Sequence, residues 1–245
     1  MRRRMHRRRW RSPDFGPDQV PRTHHPGLLD RLALRLSTSK RLDGLWIGVF
    51  MEDEPERILR RVEEALTLIK VHDGLRYDRL IRDVQRVWMK ILPGALGNYN
   101  RALNACELDA RFVRAETSSA EQIASVIVHE ATHARLFKCG IGYSEDLRPR
   151  VEAVCFRSQL AFSARLPNGE QIRAEAERKL RAYASSDIWT DAAMRVRHVE
   201  ASVAVLQQLG CPAWLVKLAL ALRRLFGGDS KPRRAMTDDR QPDTE

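Results

Sequence analysis

The chain is poor in the features that mark secreted and membrane-spanning proteins. Its four cysteines (Cys106, Cys139, Cys155 and Cys211) are far apart and form no Cys-x-x-Cys pair. That excludes a disulfide framework and a four-thiolate zinc site. Long hydrophobic runs are also absent. The two longest, Leu45–Met51 and Ala213–Leu222, the latter broken by Lys217, fall short of the roughly 20 residues that cross a bilayer. Its basic start leads into a polar stretch with Pro13, Pro17, Pro21 and Pro26, not the apolar centre of a secretory leader. A cytoplasmic location is therefore expected, although an Arg-rich, acid-poor start is also compatible with an organellar transit segment. No internal repeat is present. What remains is 43% hydrophobic over 245 residues, enough for one substantial core, so fibrous and wholly disordered chains are excluded.

The formal net charge of +11 invites a nucleic-acid reading until it is located along the chain. Residues 1–11 carry seven arginines and no acid, and residues 229–245 are slightly acidic, which leaves a body of ordinary charge. No helix-turn-helix, RNA-recognition or zinc-finger pattern follows the basic run, so no specific nucleic-acid partner is expected. The run can touch an anionic surface weakly through residues 2–11, or serve as a solvated arm. Composition predicts a disordered arm over 1–26, one domain over 27–228 and a disordered polar tail over 229–245.

Within the domain, Leu28–Leu36 reads as a short amphipathic segment and Leu45–Met51 as a buried strand. Glu52, Asp53, Glu54 and Pro55 open a helix whose apolar positions (Ile58, Leu59, Val62, Ala65, Leu66, Ile69) share one face. Val84–Leu92 is expected to be extended, with helix over Tyr77–Leu92 as the alternative. Gly94–Asn100 reads as a loop and Ala105–Ala115 as a strand. Ser118 and Glu121 fit a capping box ahead of a helix over Ala120–Lys138, which Gly140 and Gly142 stop. Further helices are expected over Ser144–Arg165, Gln171–Ala184, Asp191–Leu209 and Pro212–Phe226. Strands early and helices late indicate an α+β fold.

Residues 129–133 read His-Glu-Ala-Thr-His. On a helix, positions i and i+4 lie one above the other, so His129 and His133 project from one face and can grip one metal ion, with Glu130 beside them as a base. The preceding Val126-Ile127-Val128 makes two unpartnered histidines costly there.

These residues, within Ile127–Leu136, resemble the zincin metallopeptidases. The likeness covers roughly residues 85–165. It implies a Zn2+ cofactor, a small, mainly antiparallel sheet with an edge strand (here Ala105–Ala115) beside the active-site helix, and a mostly helical C-terminal half. A gluzincin-like member takes its third ligand from a Glu on the next helix, and Glu152 stands nineteen residues after His133. Glu145 and Asp146 are nearer but read as helix N-terminal acids. In the metzincin register the third ligand would fall at Cys139, yet Leu136 stands where that pattern needs a glycine to turn the chain. The Asp that follows the ligand Glu by four residues in thermolysin-like enzymes is replaced by Phe156, which leaves the partners of the two histidines unassigned. Tyr143 and His198 are the available oxyanion stabilisers. His6, His24, His25 and His72 carry no signal.

The resemblance implies hydrolysis of a peptide or protein amide bond by zinc-activated water, with Glu130 as general base. Two rival readings remain. One is a non-catalytic zinc-binding scaffold. The other is an interaction protein tethered to a membrane surface or nucleic acid by its Arg-rich arm, with Pro212–Phe226 either lying on the membrane or buried as a core helix.

Overall fold

A computed structural model describes residues 26–182, 187–212 and 214–215. The expectations for the N-terminal arm, the polar tail and most of the Pro212–Phe226 helix fall outside the described residues. The described elements run α1 (Leu28–Leu36), β1 (Thr38–Leu42), β2 (Leu45–Val49), α2 (Pro55–His72), α3 (Gly74–Asp83), β3 (Arg86–Lys90), β4 (Gly97–Asn100), β5 (Ala105–Asp109), α4 (Ala110–Arg114), α5 (Ala120–Lys138), α6 (Arg148–Ser163), α7 (Glu170–Ala182) and α8 (Asp191–Gln208). A short 3-10 turn, Asp187–Trp189, precedes α8. The fold is α+β, with one five-stranded sheet in the order β1-β2-β3-β5-β4.

The sheet is mixed, not mainly antiparallel. Pairs β1–β2 and β4–β5 are antiparallel, while β2–β3 and β3–β5 are parallel. The reason is the helical excursion through α2 and α3, which returns the chain to the starting end of β2 and so makes β3 parallel to it. Strand β1, unassigned from sequence, forms a hairpin with β2 through Asp43-Gly44, both at positive φ (50° and 86°). That is the tight turn an Asp-Gly pair favours.

Strand alternation builds the core. Ile47 and Val49, Val87 and Met89, and Cys106 and Leu108 point to one face and are fully buried. They pack against Ile58, Leu59, Val62 and Leu66 of α2 and Ile123 and Ile127 of α5. The opposite residues, including Trp88 and Ala105, form a smaller cluster with Leu103, against which Ala33 and Leu34 of α1, Trp46 and Phe50 pack.

Two expectations near the site change. The strand starting at Ala105 ends at Asp109, whose carboxylate accepts from the Arg111 backbone N–H at 3.0 Å and starts α4. It also lies inside the sheet, because part of the segment read as a loop forms β4 and pairs outside it. The edge strand is therefore Gly97–Asn100. Asn98 and Asn100 donate to the buried Glu107 of β5 at 3.0 and 2.8 Å, and Lys90 pairs with the same carboxylate at 2.8 Å. These contacts pin a strand whose own sequence is too polar and short to be recognised by pattern.

The capping box of α5 is shifted by one residue from the sequence reading. Ser119 Oγ accepts from the Gln122 backbone N–H, and Gln122 Oε1 accepts from the Ser119 N–H. The helix spans Ala120–Lys138 as its periodicity predicts, and Ile123, Ala124, Ile127 and Val128 are buried.

Candidate metal centre

Helices α5 and α6 pack side by side and bring together residues far apart in sequence. His129 and His133 occupy the same face of α5, and their Nε2 atoms are 3.2 Å apart. Glu152 of α6 closes the group. One of its oxygens lies 3.2 Å from His129 Nε2 and the other 3.4 Å from His133 Nε2. His129 and Glu152 are buried, and His133 is half-buried.

These separations test whether the residues suit a metal. Ligands at 2.0–2.1 Å from a tetrahedral zinc are necessarily about 3.3 Å from one another. The three contacts cluster around that value, and two imidazoles with one carboxylate is a donor set zinc accepts.

The orientation of His129 is fixed by a residue the sequence reading did not assign. Gln159, seven residues after Glu152 and on the same face of α6, sets its Oε1 3.1 Å from His129 Nδ1. Its Nε2 donates to the Ser125 carbonyl (3.2 Å) and the Ser125 hydroxyl (2.9 Å). The amide is thereby held with its oxygen toward the ring, so Nδ1 donates and Nε2 is left to face Glu152 and His133. Phe156 replaces the expected carboxylate and packs edge-on against His129, with ring centroids 4.9 Å apart.

Tyr143 lies in the loop between α5 and α6. Its hydroxyl donates to Glu152 Oε1 at 2.5 Å, and its ring stands edge-on to His133 at 5.5 Å. The Arg148 guanidinium lies 5.5 Å from the centre of that ring, and it ties α6 to the Trp189 carbonyl and to Asp191. Tyr143 thus joins the group through the Glu152 carboxylate.

Glu130 is buried between α5 and the edge strand. A methyl group at Gly97 would lie 2.9 Å from Glu130 Oε1 and 2.6 Å from Val126 Cγ1, so glycine is what allows β4 to come this close. Glu130 makes no hydrogen bond to another described residue. Burial raises its carboxyl above the usual range, and the adjacent His129 and His133 only partly counter that. Burial would also raise Glu152, but hydrogen bonds from both histidines outweigh it and hold Glu152 well below the ordinary carboxylate value. For His129 burial opposes protonation, yet the Glu152 hydrogen bond and the nearby Glu130 charge leave its pKa raised.

A further donor went unrecognised in the sequence. Cys155 is fully buried one turn beyond Glu152, and its sulfur lies within 4.8 Å of ligand atoms of His129 and His133. The spacing from Glu152 was the available signal, since residues i and i+3 share a helix face. Burial, with Glu152 and Glu130 adding to it, keeps this thiol strongly protonated. The Glu152 carboxylate, 3.2 and 3.4 Å from the two rings and held ionised, is the other candidate for a third ligand.

Two sequence candidates are not brought to the centre. Cys139 is exposed at the C-cap of α5, because the helix continues past Leu136 without turning. His198 is exposed on α8, where its carbonyl accepts from Ser202 Oγ. Glu145, in the loop before α6, accepts from the Asp191 backbone N–H and ties that loop to the start of α8.

Compared with known proteins, the chain matches no protein family, no curated protein and no solved structure.

Proposed function

We propose that this chain is a zinc-dependent hydrolase acting on peptide amide bonds. The observation that carries the reading is the triangle of His129, His133 and Glu152, with the unbonded carboxylate of Glu130 beside it and facing an edge strand. Zinc bound by those three residues supplies Lewis acidity, polarising a carbonyl and making a water ionise near neutral pH.

The protein's own groups have separable tasks. Gln159 holds His129 in the tautomer that leaves Nε2 free, and Tyr143 holds one oxygen of Glu152. Glu130 takes a proton from the attacking water and returns it to the departing amine, a role suited to a carboxyl raised by burial. Strand β4 pairs only with β5 among the described residues, so its outer edge can hold an extended substrate by strand addition.

Elemental analysis of the purified protein tests the metal, and Glu130→Gln tests the chemistry. The expected result is close to one zinc per chain, lost in His133→Ala and in Glu152→Ala. Glu130→Gln should retain zinc and lose at least about a hundredfold in peptide-library cleavage. Metal-free wild type after reconstitution with zinc would end the reading.

One observation favours a second reading, a zinc-binding scaffold without catalysis. Cys155 sits near enough to supply a fourth ligand, and four protein ligands define a closed structural site. Cobalt substitution separates the two, since a thiolate-to-cobalt charge-transfer band lost in Cys155→Ser would establish the closed site.

A further inference from the structure

Helix α1 exposes an apolar stripe that the rest of the described chain leaves uncovered. Leu28, Leu29, Leu32 and Leu36 are 83%, 82%, 54% and 63% exposed. At about 100° per residue, Leu28, Leu32 and Leu36 fall within one narrow sector and Leu29 borders it. The opposite side of the helix carries Ala33 and Leu34, which rest on the sheet against the Trp88 cluster, so α1 is anchored with its leucines outward. Exposed apolar surface of this continuity marks an interaction site.

Cations border the stripe. Arg31 and Arg35 lie along one side of it, and Arg35 also lines a cleft of about 450 Å³ with Arg41, Arg82, Arg86 and Lys138. No carboxylate among the described residues lines that cleft. Asp83 takes two of the three Arg82 nitrogens and lies 3.9 Å from Lys138 and 3.5 Å from Arg135, so it offsets part of the charge of Arg82 and Lys138, whereas Asp43 accepts from Lys70 and Tyr77, away from the cleft's cations. Arg41 donates to the Gly44 carbonyl, and Arg86 to Gln85 Oε1 and the Leu103 carbonyl, so neither charge is neutralised by those contacts.

We propose that α1 and this cleft together dock the protein on an anionic phospholipid surface, with the leucines entering the acyl boundary and the cleft taking headgroup phosphate. Four exposed leucines beside four arginines that pair with no carboxylate among the described residues (Arg31, Arg35, Arg41 and Arg86) match a bilayer, which presents apolar and anionic chemistry in adjacent layers. A nucleic acid would use the cations and leave the leucines in water. A second copy would bring two basic surfaces face to face. Residues 1–11, seven of them arginine, precede α1 in sequence and add charge of the same sign. This inference is independent of the hydrolase reading.

Co-sedimentation of the full chain with vesicles is the test. Phosphatidylcholine–phosphatidylserine vesicles should bind it, pure phosphatidylcholine should not, and raised salt should weaken the binding. Leu28→Ser with Leu32→Ser, at positions already in water, should lower binding at least tenfold. Arg35→Gln and Arg41→Gln should each cost roughly fivefold. Zinc content should be unchanged in all of them, which separates failure here from failure of the metal site. Equal binding to neutral vesicles, no binding, or binding that survives these variants and vanishes only on deleting residues 1–25 would overturn the proposal. So would vesicle-independent binding of single-stranded RNA that the same arginine variants abolish.

Discussion

Gln159 and His129 are locked to one another across thirty residues, with Gln159 Oε1 against His129 Nδ1 and the rest of the amide tied to Ser125. Partners of this kind orient a metal-bound imidazole, and their removal commonly costs about 10- to 100-fold in metal affinity. Gln159→Leu should lower zinc affinity within that range, as read by competition with a chromophoric chelator. Gln159→Glu, which can still accept from Nδ1, should recover part of the loss.

Tyr143 acts through Glu152. Removing its hydroxyl in Tyr143→Phe leaves the ring against His133 but frees one carboxylate oxygen. The expected outcome is roughly tenfold weaker zinc binding, with little further loss of turnover once zinc is saturating. If zinc affinity is unchanged and only turnover falls, the hydroxyl is serving a reacting oxyanion instead.

Gly97 lets the edge strand come close to Glu130. Gly97→Ala would force its methyl against Glu130 Oε1 and Val126 Cγ1, so β4 or Glu130 must move by several tenths of an ångström. Peptide cleavage should fall by at least tenfold while zinc content stays near wild type. Gly97→Val should fall further and begin to destabilise the sheet edge.

Asp83 couples acid to stability. Burial raises its carboxyl, but Arg82, Lys138 and Arg135 outweigh that and hold it below its ordinary value of 3.8. A depressed carboxylate contributes stability above its unfolded-state pKa and loses it as pH falls through the folded one. The wild type should therefore lose more in Tm than Asp83→Asn between pH 5 and pH 2, while Asp83→Asn is the less stable at pH 7. Thermal melts at both ends of that window decide it.

The histidine pair of the candidate site was legible because it rests on helical periodicity alone. His129, Glu130 and His133 follow from spacing and the limits of α5 from its cap and its glycine stop, whereas Glu152 was singled out only by the likeness to gluzincins. Whatever depends on how helices and strands meet was not legible. Gln159 and Cys155 become partners of the histidines only when α6 docks on α5. The four-residue β4 has no apolar alternation and owes its place to Asn98 and Asn100 bonding Glu107 on a neighbouring strand. Strand β1 is a different case, since Asp43-Gly44 was an available hairpin signal that the reading of the sequence left unused. The shift of the capping box from Ser118 to Ser119 reflects two consecutive serines that pattern alone does not distinguish.

All the donors outside α5, Glu152, Cys155 and the Gln159 that aligns His129, come from a single helix. A cation held between α5 and α6 would therefore act as a rivet added to two helices that already pack side by side. If a metal binds there, loading it and seating α6 would be linked equilibria, each strengthening the other by the same factor. Because α7 packs on α6, that reciprocity extends beyond the centre. Chelation would loosen the C-terminal helices as a group, and anything that pries α6 away would release the ion.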